Sequence, residues 1–137
     1  MCQTPQRMRI VVLYCQHSVR SDAGNGIVTH EHDGVAVQTV MLPCSSKVQA
    51  SELLSLLAAG VDGVEIVACQ DRTCRFLVGS HLAGERLQYA RRLLNEAHVR
   101  GDRLGLCCAS GLGADELQAL GLARAAAVQA SREGGIV

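Results

Sequence analysis

The sequence is poor in aromatic residues and has no tryptophan. Its only aromatic rings of the Phe, Tyr and Trp type are Tyr14, Phe76 and Tyr89, in a chain of 137 residues. Proteins that bind single-stranded nucleic acid stack the bases on aromatic side chains, so this scarcity argues against such a site. The core must therefore be built from Leu, Val, Ile and Ala, which is typical of parallel sheets covered by helices.

The sequence also lacks net charge and long apolar runs. Thirteen Lys and Arg residues balance thirteen Asp and Glu residues, so no general attraction to nucleic acid or anionic lipid is expected. The apolar run at residues 10–13 is too short for the apolar region of a signal peptide or for a membrane span. We therefore expect a cytoplasmic protein with no nucleic-acid partner and no membrane partner.

Short β-type runs alternate with longer amphipathic runs along the chain. The predicted strands are residues 9–15, 35–42, 63–69 and 103–108. The predicted helices are residues 46–60, 80–98 and 114–130. This alternation predicts a mostly parallel sheet of about four strands between layers of helices. We expect one flavodoxin-like α/β domain over residues 1–137, with an ordered core at about 8–131.

Local signals set the expected limits of the first helix and of the first long loop. Ser46 and Gln49 have the spacing of a capping box, which predicts that the helix begins at Ser46. Gly60 is expected to end it. The segment 16–34 shows no periodicity and is predicted to be a loop with at most one helical turn.

Cysteine is abundant, with seven residues in the chain. In a cytoplasmic protein, cysteines are more often metal ligands or reactive thiols than disulfides. Each predicted strand ends in cysteine or within two positions of one, at Cys15, Cys44, Cys69 and the pair Cys107-Cys108. The carboxyl ends of parallel strands share one edge of a sheet, where ligand crevices form. Cys74 lies five residues past Cys69 and can return to the same edge.

Four thiolates at one edge match the needs of a [2Fe–2S] cluster, which takes two thiolates for each iron. Other interpretations remain open. A structural zinc site also uses four thiolates. Cys44, at the start of the predicted first helix, could be a thiolate stabilised by the helix dipole and active in thiol or persulfide chemistry. For Cys107 and Cys108 the core interpretation is favoured, since one of two adjacent strand residues must face inward.

Histidines are weaker candidates for a metal site, and arginines are weaker candidates for a docking surface. His30 and His32 form an H-x-H with Asp33 beside it, which is either a metal site or a polar part of the loop. Twelve arginines stand against one lysine. Those around the second predicted helix form either a solvated face with ion pairs or a docking surface for an acidic partner.

Several segments in order resemble the delta subunit of methyl-viologen-reducing hydrogenase, over roughly residues 9–120. The matching segments are Leu42-Pro43-Cys44-Ser45, Gly60-Val61-Asp62-Gly63-Val64, Ala68-Cys69, Cys74-Arg75-Phe76, Val78-Gly79-Ser80, Glu85-Arg86 and Asp102-Arg103-Leu104. The resemblance implies a small electron-transfer subunit with a [2Fe–2S] cluster and no substrate pocket of its own. It would work between larger oxidoreductase subunits that contain flavin or iron–sulfur groups. The cluster ligands implied by position are Cys15, Cys44, Cys69 and Cys74.

The sequence departs from the family pattern near these cysteines. Ser18 stands where the family has a second cysteine three residues after the first, and His17 beside it is a candidate nitrogen ligand. The usual Cys-Ser-Gly is Cys44-Ser45-Ser46, and the usual Cys-His-Tyr is Cys74-Arg75-Phe76. Four cysteines remain, enough for one cluster. The alternative is a scaffold subunit that has lost its cluster.

Overall fold

Four strands of the sheet run parallel, and a fifth is added antiparallel at one edge. The structure is a computed structural model that describes residues 8–15, 27–32, 34–42, 49–68, 79–97, 103–109 and 111–134. In these residues the strands are β1 (Met8–Cys15), β2 (Ile27–His32), β3 (Val35–Leu42), β4 (Gly63–Ala68) and β5 (Leu104–Cys108). The helices are α1 (Ala50–Ala58), α2 (Gly79–Glu96) and α3 (Ala114–Gly134).

The strand order is β2-β3-β1-β4-β5, and only β2 runs antiparallel to its neighbour. Without β2, the parallel strands follow the order second, first, third, fourth, which is the flavodoxin-like arrangement. The predicted three-layer α/β fold is therefore confirmed, with five strands in the described part of the chain instead of four.

The extra strand corrects the prediction of a loop over residues 16–34. Residues 27–32 form β2, which pairs antiparallel with β3 from Ile27↔Val40 to His32↔Val35. Five of its six residues are exposed, so β2 carries no apolar alternation that the sequence could reveal. The sequence does contain a signal for a hairpin. Only Asp33-Gly34 separates the paired residues His32 and Val35, and Gly34 has a φ of 84°. Asp-Gly is a preferred two-residue hairpin connection.

Helix α1 begins later than predicted and ends as predicted. Gln49 is its N-cap in extended conformation and makes no side-chain capping hydrogen bond, so the capping box starting at Ser46 was wrong. At the other end, the amide of Gly60 donates to the carbonyl of Leu57, and the amide of Val61 donates to that of Leu56. With Gly60 at a φ of 105°, these bonds form a Schellman motif.

Strand β1 is buried on both faces and divides the core into two layers. Val11 and Leu13 face α1 and α2, where they pack with Leu53 of α1 and Leu87 of α2. The alternate residues of β1 face α3; these are Met8, Ile10, Val12 and Tyr14. This alternation is the period of two expected of a strand. Helix α3 contributes Ala125 and Val128 to this second layer.

Candidate functional site

The carboxyl ends of the parallel strands lie level with one another. Cys15, the last residue of β1, is the register partner of Leu42, the last residue of β3. On the other side of β1, Tyr14 pairs with Val67. Ala68, the last residue of β4, pairs with Cys108 of β5. The strand ends therefore form one edge, as the predicted parallel sheet requires.

At the middle of this edge, the direction in which successive strands are added to the sheet reverses. Strands β1 and β4 are neighbours, but the chain leaves β1 toward β2 and β3 and leaves β4 toward α2 and β5. Open α/β sheets bind ligands in the crevice that forms at such a switch point. Cys15 ends the first of these two strands, and Ala68 ends the second.

Cys15 is the one predicted ligand whose side chain the structure describes, and it is completely buried. By the alternation of β1, it lies on the same face as Leu13, toward α1 and α2. Cys44, Cys69 and Cys74 lie outside the described residues, as do His17 and Ser18. Their sequence positions are nevertheless tied to described strand ends, since Leu42 precedes Cys44 by two positions and Ala68 precedes Cys69 by one.

Cys107 belongs to the other face of the sheet. It is the register partner of Val67, which packs against α3, and its side chain is partly buried. Residues paired directly across neighbouring strands point to the same face, so Cys107 and Cys15 lie on opposite faces. The structure thus separates Cys107 from Cys15, the one predicted ligand that it describes.

The late start of α1 removes one argument for a reactive thiolate at Cys44. The helix dipole acts mainly within the first turn of a helix. Because Gln49 is the N-cap, Cys44 stands five positions before the cap and not at the first turn. The expected stabilisation of a Cys44 thiolate by this helix was therefore wrong.

An apolar cavity lies beside the strand ends on the Cys15 face. Its volume is about 470 Å³, and it lies between α1 and strands β1 and β3. The lining includes Leu13 and Leu42, and Glu52 contributes the carboxylate at its rim. Solvent access and local dielectric around a metal centre affect its reduction potential. A metal centre at this edge would therefore have an apolar cavity on one side.

A charged pair is buried on the α3 face. Arg124 of α3 donates from Nε to Oε1 of Glu65 on β4 at 2.8 Å, and Glu65 is only 5% exposed. Burial raises the pKa of Glu65, while the hydrogen bond and charge of Arg124 and the charge of Arg91 act in the opposite direction. No local sequence pattern links Glu65 to Arg124, because they are 59 positions apart.

Two arginines of α2 contact other residues of the chain. Arg91 donates to the carbonyl of Leu104 at 2.5 Å. The guanidinium of Arg92 lies 5.7 Å from the centre of the Tyr89 ring, in cation–π geometry. Arg75 and Arg100 lie outside the described residues. The acidic-partner surface remains a prediction.

Two negative findings apply to the described ranges alone. No group of three or more His, Cys, Asp or Glu residues there is arranged to hold a metal ion. None of the three described helices combines the length and apolar character needed to cross a membrane.

Curated proteins similar to this chain are named as iron-sulfur subunits of F420-non-reducing hydrogenases. The one from Methanocaldococcus jannaschii is 32% identical over 80 residues, which is 58% of this chain and 60% of that protein. Its counterpart from Methanococcus maripaludis is 28% identical over 79 residues, 59% of its length. That from Methanococcus voltae is 24% identical over 110 residues, 80% of each chain. The chain thus spans about three fifths of the first two relatives.

The family model described as "Methyl-viologen-reducing hydrogenase, delta subunit" matches residues 10–125. That range runs from β1 into α3 and includes all the strand ends described above. The chain belongs to the family of methyl-viologen-reducing hydrogenase delta subunits.

Proposed function

We propose that this chain is an electron-transfer subunit of a hydrogenase-type oxidoreductase complex and carries one [2Fe–2S] cluster. The ligands are Cys15, Cys44, Cys69 and Cys74. The partners are larger subunits that contain flavin or iron–sulfur groups. Membership of the delta-subunit family and relatives named as hydrogenase iron-sulfur subunits support this assignment.

One observation carries the proposal: the buried Cys15 stands in register with the strand end that leads to Cys44 and beside the one that leads to Cys69. Neighbouring strands are about 4.8 Å apart. Consecutive Cα atoms are about 3.8 Å apart, so the Cα of Cys44 lies within about 7.6 Å of that of Leu42. The same limit holds Cys69 within about 3.8 Å of Ala68.

The donor chemistry fits this group. Thiolates are the usual ligands of iron–sulfur clusters, and the implied set has the number that a [2Fe–2S] cluster requires. When bound, such a cluster accepts and releases single electrons. The role of the sheet is to hold Cys15 rigidly. The amide of Ala109 also donates to the carbonyl of Ala68 at 2.9 Å, which keeps β4 and β5 paired up to the residue before Cys69.

The test is iron and acid-labile sulfide analysis of the full chain, purified without oxygen from a host with working cluster assembly. We expect about two irons and two sulfides for each chain and a visible absorption that bleaches on dithionite reduction. Zinc in place of iron would replace the proposal with a structural site. Protein without metal would favour the cluster-free scaffold, with Ser18 as the reason.

A further inference from the structure

We propose that His30 and His32 form a bidentate binding site for a divalent transition-metal ion on the outer strand of the sheet. Both residues belong to β2, two positions apart, so they lie on the same face of the strand. Both are exposed. This site is independent of the proposed cluster and belongs to a segment that the sequence had indicated as a loop.

The two imidazole rings are already close to a chelating arrangement. Their centroids are 6.4 Å apart, with an angle of 27° between the ring planes. A metal–nitrogen bond of about 2.0–2.1 Å places the centroids of two ligands of one tetrahedral ion about 5 Å apart. An approach of somewhat more than 1 Å is therefore needed. Rotation of two exposed side chains supplies it without movement of the strand.

The pairing of β2 with β3 holds the two histidines in place. His30 is opposite Val37 and His32 is opposite Val35, and these neighbours pack on the α3 side of the sheet. The backbone spacing of the two rings is thus fixed by a ladder of hydrogen bonds, so that little conformational freedom is lost when both rings bind one ion.

The surroundings determine which ions suit the site. The residues facing the two rings from β3 are valines, and Glu31 points to the other face of β2. An all-nitrogen site suits Ni²⁺, Cu²⁺ and Zn²⁺ and disfavours Mg²⁺ and Ca²⁺, which need oxygen ligands. Two protein ligands leave the other coordination positions open to water or to a donor from a partner.

The histidine pair and the cysteine edge are at opposite ends of the sheet. Val37, opposite His30, is five residues from Leu42, the partner of Cys15. At about 3.3 Å for each residue, the two places are about 16 Å apart along the strand direction. Binding at one can therefore be measured without disturbing the ligands of the other.

Zn²⁺ titration of the full chain with ¹⁵N-labelled histidines, followed by NMR, tests the proposal. Zn²⁺ does not oxidise thiols, and an ion held at the cysteine edge, about 16 Å away along the strands, cannot reach the rings of His30 and His32. We expect the ring signals of His30 and His32 to shift together at one Zn²⁺ concentration. In His32→Ala, the His30 signal should need about a hundredfold more Zn²⁺, because the second imidazole no longer binds intramolecularly. His30→Ala should have the same effect on His32.

A matched control keeps the histidine count and breaks the geometry. Thr29→His combined with His30→Thr places the two rings on opposite faces of β2. This variant should bind Zn²⁺ as weakly as the single alanine variants, and backbone amide spectra verify that each variant is folded. Ring signals that shift independently of each other, or control variants that bind as well as the natural chain, would overturn the proposal.

Discussion

Arg124 of α3 reaches across the sheet face to hold the buried carboxylate of Glu65, with Nε and Oε1 2.8 Å apart. The side chains are 18% and 7% exposed. The guanidinium lies over Gly105, the register partner of Glu65 on β5, where a side chain would collide with it. The helix after the last strand is thereby joined to the centre of the parallel sheet by a charged contact.

Replacing the arginine should destabilise the fold strongly. Arg124→Met keeps most of the aliphatic stem but leaves the Glu65 carboxylate buried without its ion-pair partner. We expect a loss of about 3 kcal/mol in the free energy of unfolding, measured in urea. Arg92→Met, which removes an exposed arginine of α2, is the control and should cost less than about 1 kcal/mol. Equal losses for the two variants would contradict a structural role for the pair.

The titration of Glu65 should make stability fall as pH rises. Burial raises its pKa above the ordinary value of 4.5, against the opposing effects of Arg124 and Arg91. The folded chain then binds the Glu65 proton more tightly than the unfolded chain, so this residue stabilises the fold most at low pH. The contribution declines from about pH 4.5 upward, through the raised pKa.

Urea unfolding of the natural chain and Glu65→Gln, from pH 4.5 upward, measures this effect. The stability difference in favour of the natural chain should shrink as pH rises. A difference that grows with pH would mean that the attraction of Arg124 outweighs burial. Gln retains an oxygen that can accept from Arg124, so Glu65→Gln should also cost less than Arg124→Met at neutral pH.

A methyl group at position 105 should disrupt the ion pair sterically. The Cβ of Gly105→Ala would overlap the guanidinium of Arg124 and lie 2.6 Å from Oε1 of Glu65. We expect a loss of about 2 kcal/mol from overpacking. In a double-mutant cycle, Gly105→Ala should cost less in Arg124→Met than in the natural chain, because both contacts with the guanidinium are removed and only the contact with Oε1 of Glu65 remains.

Gly84→Ala is the matched control for this substitution. Among the described residues, its Cβ would meet Leu106, at an ordinary contact distance of 3.6 Å, and the position lies inside α2. We expect a gain of up to about 1 kcal/mol from the better helix propensity of alanine. Additive losses in the Gly105 cycle would show that the glycine is needed for some other reason than space for Arg124.

The two cysteines with described side chains provide a paired test of the cluster site. Cys15→Ser should lower iron retention at least about tenfold. Mutation of residues that only hydrogen-bond to metal ligands already lowers metal affinity about tenfold or more. Cys107→Ser, on the opposite face, should retain the iron content of the natural chain. Circular dichroism of both variants verifies folding. Loss of iron from Cys107→Ser with retention in Cys15→Ser would reverse the ligand assignment.

The sequence predicted those features whose signals are local. Strand β3 begins and ends where its apolar run does, and the Schellman motif at Gly60 follows from a glycine placed after an amphipathic run. The common edge followed as well, because parallel strands joined by crossover helices must end on the same side. The thiol of Cys15 could therefore be placed at that edge without coordinates.

Contacts between distant segments decided the rest. Strand β2 forms by pairing with β3, and its mostly exposed residues show no alternation of apolar and polar positions in the sequence. The ion pair joins Glu65 and Arg124 across 59 positions, and Gly105 leaves room for both partners of that pair. By itself, the sequence determined the parallel α/β order and the common edge of the strand ends, since periodicity and capping act over a few residues. Only the tertiary structure decided that Cys15 and Cys107 lie on opposite faces of the sheet and that Glu65 pairs with Arg124, since both depend on register and on helix placement.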